Sequence, residues 1–148
     1  MRKKLSGASG QTLLELMVAI GVVAIVMTAL VSAVTASLRY SQATRLRSRG
    51  VKYAQEGLEL TRKLRDINIW TIFQAYSDGT GRWCLNEIGA WTVDDASGVC
   101  PLNAGSNYWR RVSFVWNDPR MEVTVTVSWG ERTTPSTVEL KTYFTKWK

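Results

Sequence analysis

The chain contains no histidine and only two cysteines among its 148 residues. Histidine is the commonest general acid–base group and a frequent zinc ligand, and cysteine serves many zinc sites and nucleophilic mechanisms. The 12 aspartates and glutamates are scattered along the chain. The composition therefore argues against an enzyme and gives no reason to expect a metal ion or another cofactor.

Positive charge is in modest excess, with 19 Lys and Arg residues against 12 Asp and Glu residues. Three of the cations, Arg2, Lys3 and Lys4, lie together at the amino terminus. The excess that remains without them is too small to indicate a nucleic-acid-binding protein by itself.

The two cysteines, Cys84 and Cys100, lie in a stretch rich in Gly, Asn, Asp and Ser. In an exported domain this spacing favours a disulfide, which would stabilise the fold by about 3 kcal/mol on the chain-entropy model. The alternative is a pair of reduced, buried thiols, and the choice depends on whether the compartment is oxidising.

Proline is absent between Gln11 and Arg39, and the stretch from Leu16 to Leu38 carries no ionisable side chain. As a helix this stretch would be about 34 Å long, enough to cross a hydrocarbon core of about 30 Å. The basic residues before it predict, by the positive-inside rule, a cytoplasmic amino terminus and an exported chain after Arg39. A secretory signal peptide fits less well because the apolar stretch is too long.

A short basic leader, "MRKKLSGASG", ends in Gly10 just before the apolar run, and a single carboxylate, Glu15, follows five positions later. These features resemble the amino terminus of type IV prepilins and pseudopilins, the filament subunits of type IV pili and type II secretion systems. The resemblance implies that a membrane prepilin peptidase cuts after Gly10. Gln11 would then begin the mature protein, and the same enzyme commonly methylates the new terminus. Gln11 departs from the aromatic residue, mostly Phe, that the family usually has there.

Glu15 needs a physical reason to lie beside an apolar run. An acid at bilayer depth costs about 2.5 to 3.5 kcal/mol on insertion scales, whereas a positive charge about 4 Å away would stabilise it by around 4 kcal/mol at an effective dielectric of 20. The resemblance implies that this charge is the freed amine of Gln11 on the next subunit, which sets the register of a filament. The alternatives are the amine of the same helix and a simple acid in the first turn, stabilised by the helix dipole and snorkelling.

The rest of the chain predicts an α+β fold, in which a long amino-terminal helix packs on a carboxy-terminal antiparallel β-meander, as in pilins. Small or apolar residues recur in steps of three and four and continue the helix to about Asp66: Ala43, Leu46, Gly50, Ala54, Leu58, Thr61 and Leu64. Apolar and polar residues alternate from Met121 to Trp129, which predicts a strand with one packed face. The flanking stretches "YWRRVSFVW" and "TVELKTYFTKW" predict two more strands, so three in all.

These patterns divide the chain into a leader at 1–10, an apolar transmembrane and assembly helix at 11–38, an amphipathic helical half at 39–67, an irregular loop region with the disulfide at 68–106, and a sheet at 107–148. Asp94 and Asp95 in the loop region match no calcium-ligand spacing, so a turn is predicted there.

The sequence thus predicts a non-enzymatic structural subunit of a type IV pilus or type II secretion filament. The absent Pro, Gln11 and the aromatic sheet favour a minor pilin or pseudopilin. Its expected partners are the prepilin peptidase, other pilin or pseudopilin subunits, the inner-membrane assembly platform and membrane lipid. It is expected in the cytoplasmic membrane with a single span before assembly, and in a periplasmic or extracellular filament afterwards.

Two alternatives stay open. Basic and aromatic residues interleave in "YWRR" and "TYFTKWK", which would suit a filament-tip module that binds nucleic acid or a surface. Packing within the sheet is the simpler account of these aromatics, because aromatic residues favour strands. The second alternative is a signal-anchored exported domain that never assembles.

Overall fold

The computed structural model of the chain describes residues 9–94, 100, 107–131 and 133–146, with side chains from residue 13 onward. Its elements are α1 (Ser9–Ile67), α2 (Trp70–Ala75), β1 (Arg82–Leu85), β2 (Trp91–Val93), β3 (Tyr108–Asn117), β4 (Arg120–Trp129) and β5 (Ser136–Thr145). The predicted α+β architecture, a long amino-terminal helix packed on an antiparallel sheet, is confirmed.

The chain divides into two compact units, residues 1–44 and 45–148. In the first unit every side chain from Leu13 onward is exposed, although the segment is apolar on all sides as far as Leu38. Three hydroxyls of the apolar stretch are paired within the helix, because Thr28, Ser32 and Thr35 each donate to the carbonyl three residues earlier. Such internal pairing is what a helix in hydrocarbon needs. By length and composition α1 could cross a membrane.

The second unit contains one antiparallel sheet with the strand order β2-β1-β3-β4-β5. The three long strands pair over their full lengths, so that Val125 of β4 lies between Val112 of β3 and Leu140 of β5. Alternate residues of β4 from Met121 to Trp129 are buried, as the predicted period of two requires, although Ser128 between Val127 and Trp129 is buried as well. The turn between β3 and β4 contains a cis bond between Asp118 and Pro119.

The sheet has five strands instead of the three predicted, because β1 and β2 form in the region expected to be irregular. The same region also contains α2. β1 has four residues and β2 three, too few to show a periodic pattern in the sequence. They form by pairing with distant chain, as when Cys84 of β1 lies opposite Arg111 of β3. Residues 95–99 and 101–106 of this region lie outside the described part of the chain.

The carboxy-terminal part of α1 covers one face of the sheet. Of the predicted helix face, Gly50, Ala54 and Thr61 are buried, whereas Ala43 and Leu46 are exposed. A Cβ atom at Gly50 would lie 2.7 Å from Cζ3 of Trp129, and a Cβ at Gly57 would lie 2.8 Å from Cγ1 of Val125. The sheet therefore approaches α1 more closely than a side chain at either glycine would allow.

Replacing Gly57 by Val is expected to lower the free energy of unfolding by about 1–3 kcal/mol, because the new side chain overpacks the contact with Val125. The measurement is urea unfolding of the full chain in detergent, followed by tryptophan fluorescence. Gln55→Val is the matched control, since it places the same side chain at an exposed position two residues away. Equal losses in the two variants would contradict the close approach.

Candidate functional site

The backbone of α1 begins at Ser9, so Gly10 and Gln11 lie in its first turn and Glu15 lies one turn beyond Gln11. Four residues of an α-helix advance by about 6 Å and return to the same side. The amine that cleavage after Gly10 would free therefore belongs to the same side of the helix as Glu15.

Glu15 is exposed and is surrounded by exposed apolar side chains: Leu13, Leu14, Leu16 and Met17. Among the side chains that the structure describes, Glu15 has no ion-pair partner. The next acid along the chain is Glu56. A carboxylate without an ion-pair partner among the described side chains thus lies at the start of a long apolar surface, and both features call for contacts with lipid or with other molecules.

A family model described as the prokaryotic N-terminal methylation motif matches residues 5–31. The amino terminus of this chain is type IV prepilin-like. The match contains Gly10, Gln11 and Glu15 and confirms the resemblance predicted from the sequence. No curated protein and no solved structure matches the chain.

The prepilin-like segment and the exposed apolar helix together support a pilin-type precursor, and they are consistent with its anchoring in a membrane. The motif also implies processing by a prepilin peptidase and assembly with other pilin subunits. The individual roles of Gly10, Gln11 and Glu15 stay predictions, because the match concerns the segment as a whole.

Cys84 and Cys100 form a disulfide, with their Cα atoms 5.4 Å apart. The two sulfurs and a carboxylate oxygen of Asp94 all lie within 4.8 Å of one another. Because both sulfurs belong to the disulfide, this cluster offers no thiolate to a metal ion.

Asp94 is fully buried at the end of β2, and its charge is balanced by arginines. Its Oδ2 atom lies 2.8 Å from Nε of Arg111 and 3.8 Å from Nε of Arg82. A buried carboxylate is tolerated when cations of this kind offset its desolvation. Asp94 is therefore part of an ion-pair cluster on the sheet, and Asp95 lies outside the described residues. No pattern in the sequence indicates this cluster, because Arg82 belongs to β1, Arg111 belongs to β3 and Asp94 directly follows β2.

Arg110 is the most deeply buried cation of the described chain, with no exposed surface. Its guanidinium donates to the carbonyl oxygens of Tyr53 at 2.9 Å, of Asn86 at 2.8 Å and of Leu85 at 3.4 Å. The Oε1 atom of Glu56 lies 3.6 Å from Nη1. Burial lowers the pKa of Arg110 from its ordinary value, and the charge of Glu56 opposes that shift. Arg110 therefore fastens α1 to the loop that follows β1.

The two basic and aromatic stretches are each divided between the faces of the sheet. In "YWRR", Tyr108 and Arg110 are buried, whereas Trp109 and Arg111 point to the other face and are half-buried. In β5, Phe144 is buried and Tyr143 is 51% exposed beneath Arg120. Trp147 lies outside the described residues. Because successive side chains of a strand point to opposite faces of the sheet, residues that are neighbours in the sequence are separated in the structure.

Buried aromatic residues hold the short elements in place. Phe73 of α2 packs edge-on against Phe114 and Phe144, with ring centroids 5.8 and 5.5 Å apart. Tyr76 contacts Trp83 at 4.9 Å and Trp91 at 6.0 Å. Much of the unusual aromatic content therefore forms the core of the second unit, which is the simpler of the two accounts considered from the sequence.

Proposed function

We propose that the chain is the precursor of a structural subunit, a minor pilin or pseudopilin, of a type IV pilus or type II secretion filament. The observation that carries the proposal is the methylation motif at residues 5–31, continued by a helix whose apolar side chains are exposed on every side. An anchor alone would need only the span. The motif adds a processing signal and an acid that a new amino terminus can neutralise.

In the proposed mechanism, the precursor lies in the cytoplasmic membrane with its carboxy-terminal unit outside. A prepilin peptidase cuts after Gly10 and frees the amine of Gln11. Methylation of that amine would keep its positive charge. The assembly platform and sibling subunits then exchange lipid contacts of α1 for contacts with neighbouring helices, in which small and hydroxyl-bearing residues allow close approach.

Glu15 pairs, in this proposal, with the amine of Gln11 on the neighbouring subunit. The amine of its own helix lies about 6 Å away and would stabilise the carboxylate by about 3 kcal/mol at an effective dielectric of 20. That only matches the insertion cost of about 2.5 to 3.5 kcal/mol. A neighbouring amine at about 4 Å would contribute around 4 kcal/mol, so assembly relieves a charge that the isolated helix leaves barely compensated.

The test is the mature amino terminus, measured by intact-mass and peptide mass spectrometry of the protein from its native membrane. The expected product begins at Gln11 and carries one added methyl group. Gly10→Val is expected to stop cleavage, because the peptidase reads the glycine, whereas Gly7→Val in the same leader is expected to be cleaved normally. A wild-type protein that keeps Met1, or that starts after the apolar segment, would overturn the proposal in favour of a signal-anchored or secreted domain.

A further inference from the structure

Beyond the apolar part of α1 and the exposed Arg39 that directly follows it, four more exposed cations lie within about two helical turns of one another: Arg45, Arg47, Arg49 and Lys52, here called the basic collar. No acidic residue occurs anywhere between Glu15 and Glu56. The collar therefore adds four positive charges to one short helical segment with nothing of opposite sign beside them in the sequence.

The collar also lacks ion-pair partners in three dimensions within the part of the chain that the structure describes. The ion pairs found in the described part of the chain all use cations outside it: Arg62, Arg65, Arg82, Arg110, Arg111 and Lys141. Cations elsewhere in the second unit are thus largely matched with acids, whereas those of the collar face solvent. An unmatched cluster of this kind fits an external anionic partner.

The position of the collar identifies the partner. Arg45 follows Leu38 by seven residues of α1 and Lys52 follows it by fourteen, which corresponds to about 10 and 21 Å of helix. Headgroups extend about 5–8 Å beyond the hydrocarbon on each side of a bilayer, and the Debye length is about 8 Å at physiological salt. The first half of the collar therefore lies within electrostatic reach of headgroups. Tyr40, which is 76% exposed, lies between the apolar part of α1 and the collar, where an aromatic residue suits the membrane–water interface.

We propose that the basic collar binds the anionic phospholipid headgroups of the membrane in which α1 is anchored. The proposal rests only on the membrane anchoring within the proposed function, and it holds for either orientation of the span. Juxtamembrane Lys and Arg residues are suited to this role, and each cation near the surface favours binding about fivefold. The contact fixes the depth of α1 in the bilayer, and a subunit that enters a filament exchanges it for other contacts.

Acidic groups on a second copy are the other source of negative charge, and they suit the collar less well. Five of the ten acids in the described second unit are already engaged in ion pairs: Glu56, Glu59, Asp66, Asp94 and Glu122. Binding the collar to any of these five would break an existing pair for each new one formed.

The experiment uses the full, uncleaved chain in vesicles of phosphatidylcholine with a minority of phosphatidylglycerol. Electron paramagnetic resonance of spin-labelled lipids measures the preference of the protein's lipid shell for phosphatidylglycerol. R45Q/R47Q is expected to lower this preference about fivefold or more. R49Q/K52Q removes the same charge farther along the helix and is expected to have a smaller effect. About 1 M salt should abolish the difference, since the Debye length falls to about 3 Å.

An unchanged preference in R45Q/R47Q would overturn the proposal, and so would equal losses in both variants, which would indicate net charge rather than position. A loss of self-association without a change in lipid preference would assign the collar to a second copy instead. All four positions are exposed, and tryptophan fluorescence checks that each variant folds. The lipid experiment uses the uncleaved precursor, so its outcome does not affect the test of cleavage after Gly10. Equally, a mature protein that starts at a residue other than Gln11 would not affect the lipid experiment.

Discussion

Replacing Glu15 by Val is expected to leave membrane insertion and cleavage intact and to abolish incorporation of the subunit into filaments. Valine suits lipid better than a carboxylate does, by the 2.5 to 3.5 kcal/mol or so that insertion of the acid costs. The variant should therefore be at least as stable in the membrane. What it loses is the attraction of about 4 kcal/mol between Glu15 and the amine of an incoming subunit, roughly a thousandfold in association.

The measurement compares sheared filaments with membranes from cells that carry the variant, by immunoblotting both fractions. Glu59→Val is the matched control, because it removes an exposed acid from the same helix outside the apolar stretch; it is expected to assemble normally. Glu15→Asp keeps the charge and should restore part of the incorporation. If Val at position 15 enters filaments at the wild-type level, the pairing mechanism is wrong even where cleavage after Gly10 is found.

The parts of the fold that the sequence predicted are those with a local signal. The alternation from Met121 to Trp129 defines β4 without reference to any other segment, because one face packs and the other is solvated. The long helix is equally local, since no proline interrupts it from Ser9 to Ile67. The amino-terminal motif belongs to the same class, because Gly10 and Glu15 are related by a fixed spacing in one helix.

The parts that the sequence missed depend on distant partners. β1 and β2 are too short to show a period, and they exist because β3 offers an edge with which Trp83 and Cys84 can pair. Asp94 has no charged neighbour in the sequence that explains it, since Arg82 and Arg111 reach it only through the sheet. These contacts depend on the register in which distant strands pair, and a single sequence does not specify that register.

Arg110 lies between these two cases. The pattern of β3 places it on the same face as Tyr108, Val112 and Phe114, so strict alternation would have put it inside. A basic residue in "YWRR" suggested a surface instead, because cations are rarely buried without partners. The partners are carbonyl groups of the loop after β1 and of α1, and no pattern in the sequence identifies them.

Replacing Arg110 by Met is expected to lower the free energy of unfolding by about 3–5 kcal/mol, because three carbonyl groups lose their donor and each buried acceptor left unsatisfied costs about 1–3 kcal/mol. Methionine fills much of the volume but donates no hydrogen bond, so the carbonyls of Leu85 and Asn86 lose their donors while they stay covered. The loop after β1 should also loosen from α1. Hydrogen exchange at residues 85–90, together with urea unfolding, measures both effects.

Two controls separate the buried contacts from the loss of charge. Arg120→Met removes one exposed positive charge from β4 and is expected to cost less than about 1 kcal/mol. Glu56→Gln keeps the shape of the side chain that faces Arg110 and removes only a partly exposed ionic contact, so a loss of about 1 kcal/mol or less is expected. If Arg110→Met lowers the free energy of unfolding no more than these two control substitutions do, the guanidinium does not hold α1 to the loop. A large loss confined to Arg110→Met would instead mean that the carbonyl contacts, rather than the pairing with Glu56, justify a cation inside this sheet.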